Sequence, residues 1–186
     1  MADTSERALP GTPSGEATEE QLQLAREQGT AFGKAVAMMT QEEAQGEQAE
    51  VGDLLVAYAV EEAEGMYEWV DGRLEWRNPT DENAHIEVVV RDAHDGRFLP
   101  GMDVYVSVFT ETGEEVGTHQ QPFLWHPWLF HYGRNWTLPG DGTYRMAVHI
   151  KPPGFMRHDK LNGARYSNPV DIEWPDVRIV TGQKRS

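Results

Sequence analysis

The chain has no cysteine among its 186 residues. Disulfides, thiolate metal sites and cysteine nucleophiles are therefore excluded. Positive charge is scarce as well: 16 Lys and Arg stand against 31 Asp and Glu, and the formal charge is −15. Such a balance repels nucleic acid and anionic membrane surfaces, so neither is expected as a partner. No window of about 18 apolar residues occurs, which excludes a transmembrane helix and membrane insertion. The opening residues Met1–Glu6 lack the basic-then-apolar pattern of a signal peptide. On sequence alone this predicts a cytoplasmic chain, or an exported one already trimmed. Also missing are GxGxxG, the P-loop, GxSxG and HExxH, so the usual nucleotide, serine-hydrolase and zinc-protease signatures do not apply.

The acid is unevenly spread. Residues 1–66 carry 14 acidic and 3 basic side chains, net −11, whereas residues 67–186 are net −4. Residues 1–17, rich in Pro, Gly, Ser and Glu, read as a disordered tail. Thr18 with Gln21 forms a capping-box pattern, which predicts a helix to about Gln45 within an acidic segment 18–50. Its apolar side is modest: Leu24, Ala31, Ala35 and Met38, with Phe32 and Val36 beside them. Gly29 and Gly33 weaken the helix but allow close backbone approach, which suits packing on a sheet or on a second subunit.

From Asp53 the apolar period changes to two. Strands are predicted at 54–60, 66–70, 73–76, 85–91, 102–110, 115–120, 143–150, 170–174 and 177–181, with Asp71-Gly72 and Asp95-Gly96 as turns. Short strands at regular spacing predict an all-β, immunoglobulin-like antiparallel β-sandwich over residues 51–186, with the helix added at its N-terminus.

Residues 122–136 hold Phe123, Trp125, Trp128, Phe130, Tyr132 and Trp136 together with His126 and His131. Most of these aromatics are expected to plug one end of the sandwich from a long packed loop. The imidazoles need another explanation, because buried ones require polar partners. On the strand 85–91, alternation puts His85 and Glu87 on one face, a cation-ligating pair if they do not simply face water. His158 follows Pro152-Pro153-Gly154 in a loop. His149 reads as structural or exposed, and His94 and His119 as surface residues.

The order His85-Ile-Glu87, then His131-Tyr-Gly133, then Gly154-Phe-Met-Arg-His158 resembles the periplasmic iron-transport protein family, the copper- and iron-binding partners of bacterial high-affinity iron permeases. Thr110-Glu-Thr-Gly113 and Gly140-Asp-Gly-Thr-Tyr144 extend the resemblance over about residues 51–181. The resemblance implies a homodimeric sandwich, an extracytoplasmic location, an iron permease as partner and one divalent transition metal, copper or iron, with zinc also suited. It implies His85, Glu87, His131 and His158 as ligands. The family's methionine ligand falls on Leu124, and His126 stands two residues on as its replacement, which moves preference from Cu(I) toward Cu(II), iron or zinc. Tyr132 and Arg157 would orient ligands. Binding should weaken as the imidazoles protonate below about pH 6.5. Nothing here requires catalysis, so the expected activity is metal binding or transfer and not an enzymatic one. The competing reading is a sandwich that binds a sugar or peptide through exposed Trp125 and Trp128. A metalloenzyme would additionally need an open coordination position and a substrate pocket.

Overall fold

The computed structural model describes residues 10–43 and 45–184. Helix α1 (Glu19–Met38) begins on the complete capping box of Thr18 and Gln21 and continues as a π-helical turn, Met39–Glu43. The helix therefore stops short of Gln45, and Gln45–Val51 is a strand, β1. The reason lies downstream. The whole of 45–51 finds antiparallel partners on β2 (Leu54–Glu61), where ladder hydrogen bonds replace helical ones.

Ten further strands follow β1: β2, β3 (Met66–Val70), β4 (Arg73–Arg77), β5 (Ala84–Asp92), β6 (Asp103–Thr110), β7 (Glu115–Gln121), β8 (Phe123–Leu124), β9 (His131–Trp136), β10 (Gly142–Lys151) and β11 (Val170–Ile179). One sheet has the order β1-β2-β5-β9-β8, and the facing sheet β11-β10-β6-β7. Every ladder is antiparallel, and the core lies between the sheets. Alternation builds it: Ile86, Val88 and Val90 of β5 meet Val104, Val106 and Val108 of β6 and Met146, Val148 and Ile150 of β10. Strands β3 and β4 stand apart as a hairpin, turning at Asp71 (φ 49°) and Gly72 (φ 83°) as the sequence predicts.

Two predicted strands are one. The break expected near Pro175 is absorbed at the sheet edge, where the β10–β11 register shifts between Tyr144 and Met146 and the ladder resumes at Val177. The aromatic stretch also differs from the expected loop. Only Pro122 and residues 125–130 are irregular, and His131–Trp136 is a strand paired with β5 and β8. Its inward residues Tyr132 and Trp136 join the core.

The second sheet face matters more for function. The outer side of β2 and β5 is covered by α1 and the turn after it. Val36 and Met39 pack on Ala57, Ala59, Val89 and Leu129, with Phe32 and Ala35 at the edge. The buried stripe is thus turned away from the expected one, and Leu24 and Met38 are exposed. Gly29 explains the turn: a Cβ there would stand 1.7 Å from the backbone oxygen of Asp95. The close approach inferred from Gly29 is used within the chain, against the Asp95-Gly96 turn. Residues 10–17, expected to be part of a disordered tail, pack against the loop after β10. Ser14 Oγ donates to Asp159 Oδ2 at 2.7 Å, and Asn162 Nδ2 donates to the Thr12 oxygen at 2.9 Å. Residues 1–9 of that tail lie outside the described residues.

Candidate metal centre

The covered face of the first sheet is apolar at its middle and polar at one end. The register sets Glu61, His85 and Asn135 in one row and Ala59, Glu87 and Gly133 in the next. His131 follows one step along β9. Alternation therefore delivers His85, Glu87 and His131 to the same face, and all three are buried. One ligand-capable atom from each lies within 4.8 Å of the other two. His131 Nε2 is 3.4 Å from Glu87 Oε1, and His85 Nε2 is 3.8 Å from the same oxygen. Two donors bound to one ion at about 2.1 Å stand roughly 3.4 Å apart at a tetrahedral angle, so this spacing suits a shared cation.

Small neighbours make the room. Ala59 and Gly133 flank Glu87 across the ladders. A Cβ on Gly133 would stand 3.0 Å from His85 Nε2 and 3.1 Å from His131 Cδ2. The two rings lie nearly perpendicular, at 83°, with centres 5.9 Å apart.

The other ring nitrogens fix the proton positions. His85 Nδ1 faces Asn135 Oδ1 at 2.9 Å, and His131 Nδ1 faces the Leu129 carbonyl at 3.3 Å. Both partners accept, so each Nδ1 carries the hydrogen and each Nε2 presents a lone pair. Both Nε2 atoms are buried without a hydrogen-bond partner. Burial first, and then the neighbouring His85, push the His131 imidazole down to about 4. Burial lowers His85 too, outweighing Glu64 and Asn135, which raise it. Two neutral imidazoles thus turn lone pairs toward a carboxylate, an arrangement that a metal cation would satisfy.

The remaining candidates separate. His126 is half-buried on the cleft side, its ring centre 6.3 Å from that of His131. His158 is 96% exposed and faces Glu16 at 3.7 Å. Its loop belongs to the far end of β5, where Arg165 and the Tyr166 hydroxyl bind Asp92. The seven steps from His85 to Asp92 span roughly 24 Å, so the chain does not bring His158 to the cluster. Arg157 lies in the same distant loop, its guanidinium over the Phe155 ring. Tyr132 points to the opposite face from His131. Its hydroxyl donates to the Leu99 oxygen at 2.7 Å and accepts from Met102 N at 3.0 Å, so it pins the core and does not touch the imidazoles. His149 is exposed beside Asp171, as expected of a structural or surface residue.

Glu64 was missed by sequence reasoning. Its Oε1 is 3.7 Å from His85 Nε2. It follows β2 with no alternation or motif to mark it, and its place depends on contacts with β9. A cleft of about 590 Å³ opens beside it, lined by Glu64, Met66, Tyr67, Trp76, Trp125 and His126 and reaching His131. Its rim is more exposed than a core plug would be: Trp125 is 72% and Tyr67 on the hairpin 66% accessible. The aromatic stretch contributes Leu129, Tyr132 and Trp136 to buried clusters, while Phe123, Trp125, Trp128 and Phe130 remain exposed.

A β-sandwich carrying a buried His-Glu-His cluster is the class these features define. The model of the family described as "Fe2+ transport protein" matches residues 39–180, and the chain belongs to that family. Solved structures agree on the fold. FetP of uropathogenic Escherichia coli strain F11 superposes with a TM-score of 0.59 at 20% identity, covering 73% of this chain and 94% of FetP. The copper-reconstituted P19 protein of Campylobacter jejuni gives 0.60 at 16% identity, covering 75% and 96%. A search of curated proteins finds no match.

Proposed function

We propose that this protein binds a divalent transition metal for iron uptake, holding it between His85 Nε2, His131 Nε2 and the Glu87 carboxylate. The supporting observation is the pair of buried Nε2 lone pairs aimed at one carboxylate. The donor set is two borderline nitrogens and a hard oxygen, which suits Fe(II), Cu(II) or Zn(II) better than Cu(I). Fixed, neutral imidazoles need no deprotonation at neutral pH before they ligate. His126, on the cleft side, is proposed as the ligand that meets the ion on entry. The protein would act by binding and handing over metal outside the cytoplasm, to an iron permease, with no catalytic step. A homodimer is part of the proposal, and His158 is a ligand within it only if a second copy supplies it.

Anaerobic Fe(II) and aerobic Cu(II) titration of chelator-treated protein tests this. The expected outcome is a single site with Kd below 100 μM, equivalent to about −5.5 kcal/mol. His131→Ala should abolish it and His126→Ala should weaken it. Absence of any first-row metal binding tighter than that value would overturn the proposal. The exposed indoles at the cleft rim favour one addition: the face around Trp76 and Trp125 is also where a partner would dock.

A further inference from the structure

Glu64 is held at the centre by more than proximity. The side chain of Asn135 grips its backbone from both sides: Nδ2 donates to the Glu64 oxygen at 2.8 Å, and Oδ1 accepts from Glu64 N at 3.2 Å. The same Oδ1 accepts from His85 Nδ1 at 2.9 Å. One amide therefore fixes the tautomer of His85 and the position of Glu64 together. From the other side, Lys184 reaches both the Glu61 and Glu64 carboxylates, the latter at 3.3 Å through Oε2. Lys184 is delivered by a parallel bridge between Ala63 and Gln183 and by the hydrogen bond from its own N to the Ala63 oxygen, 2.8 Å. With Oε2 turned to lysine, Oε1 faces His85 Nε2 at 3.7 Å. The His85 side chain is fully buried and that nitrogen has no hydrogen-bond partner.

Resting on the metal-binding reading above, we propose that Glu64 is a further metal ligand, closing the centre from the cleft side as a two-histidine, two-carboxylate site. Its carboxylate is about a quarter exposed at 25%, against 9% for Glu87. Glu87 is the fixed ligand of the buried floor, and Glu64 is the ligand at the mouth. Two carboxylates neutralise a dication, so the filled site carries no net charge into the sheet face. The second carboxylate also makes the donor set harder, which raises preference for Fe(II), Mn(II) and Co(II) relative to Cu(I). Lys184 holds Glu64 in place before the ion arrives and competes with the ion for the carboxylate.

The test is titration of the full chain with Co(II), which reports its ligand field through its visible absorption. Wild type, Glu64→Gln, Lys184→Met and His131→Ala are compared, with Fe(II) titrated in parallel. Glu64→Gln should weaken Co(II) and Fe(II) binding by about tenfold or more and shift the Co(II) absorption bands. Cu(I) affinity should change by less than threefold. Lys184→Met should tighten Co(II) binding and leave the band positions in place. If Glu64→Gln binds Co(II) with unchanged affinity and spectrum while His131→Ala binds none, Glu64 is not a ligand and the three-residue centre stands. If wild type itself binds no metal, the metal-binding reading falls with it.

Discussion

Gly133 is the residue on which the centre's packing turns. It sits beside Glu87 in the ladder, and the space where its side chain would be is taken by His85 Nε2 and His131 Cδ2. Gly133→Ala should push the two rings apart and weaken metal affinity about tenfold or more, the scale typical of displaced ligand supports. Isothermal titration against the wild type measures this. The imidazoles themselves set a pH dependence. In the metal-free protein, His131 titrates at about 4 when folded and near its ordinary 6.5 when unfolded. Above pH 6.5 both states are neutral there and nothing is lost. As pH falls from 6.5 toward 4, the unfolded chain takes up a proton that the folded chain refuses, and stability drops. From His131 alone the loss approaches about 3 kcal/mol by pH 4. Denaturant unfolding between pH 7.5 and 4 should show it, with a flatter profile in His131→Gln. The same depressed titration means that metal binding persists below the pH 6.5 expected of free imidazoles.

At the scale of elements, one helix covers the apolar middle of the face whose end carries the centre. Val36 is buried against Ala57, Ala59, Val89 and Leu129. Val36→Ala should cost about 1–3 kcal/mol of stability while leaving metal affinity within twofold, because the three buried residues of the centre, His85, Glu87 and His131, hang on β5 and β9. Thermal unfolding with parallel metal titration separates the two effects. What could be read in advance follows the same division. The strands of the sandwich announce themselves by period-two valines, and His85 with Glu87 by their spacing on one strand. The strand at 131–136 was hidden, because aromatics fill two of its inward positions, with Arg134 between them, and the loop before it. Period-two placement of Tyr132 and Trp136 was the available signal. Glu64 had no signal at all, since only the fold brings the end of β2 beside Asn135. Nor did the sequence distinguish the two ends of the sandwich, which is why His158 looked like a companion of His131.

The whole molecule places its two histidine-bearing regions at opposite ends, and this bears on how many chains make a complete centre. His85, Glu64 and His131 lie near the start of β5, while the loop carrying His158 packs on Asp92 and on residues 10–17 at its end. Within one chain no rotation of the exposed His158 side chain spans a strand about 24 Å long. A homodimer could join the two ends only if the copies run antiparallel, so that each loop meets the other copy's cleft. Such an arrangement would cover the exposed Trp125 and Tyr67 at the cleft rim, which are 72% and 66% accessible in the single chain. It would also have to set one N-terminal acidic segment near the other copy's cleft, against a chain of formal charge −15, so added salt should favour the pairing. The expected outcome is concentration-dependent. In dilute protein that sediments as a monomer, His158→Ala should leave metal affinity within twofold of wild type. In concentrated protein that sediments as a dimer, the same substitution should weaken it, and Trp125→Ala should shift the monomer–dimer balance toward monomer. Sedimentation velocity with metal titration at both concentrations checks this. An unchanged affinity for His158→Ala in a confirmed dimer would leave the centre complete within one chain.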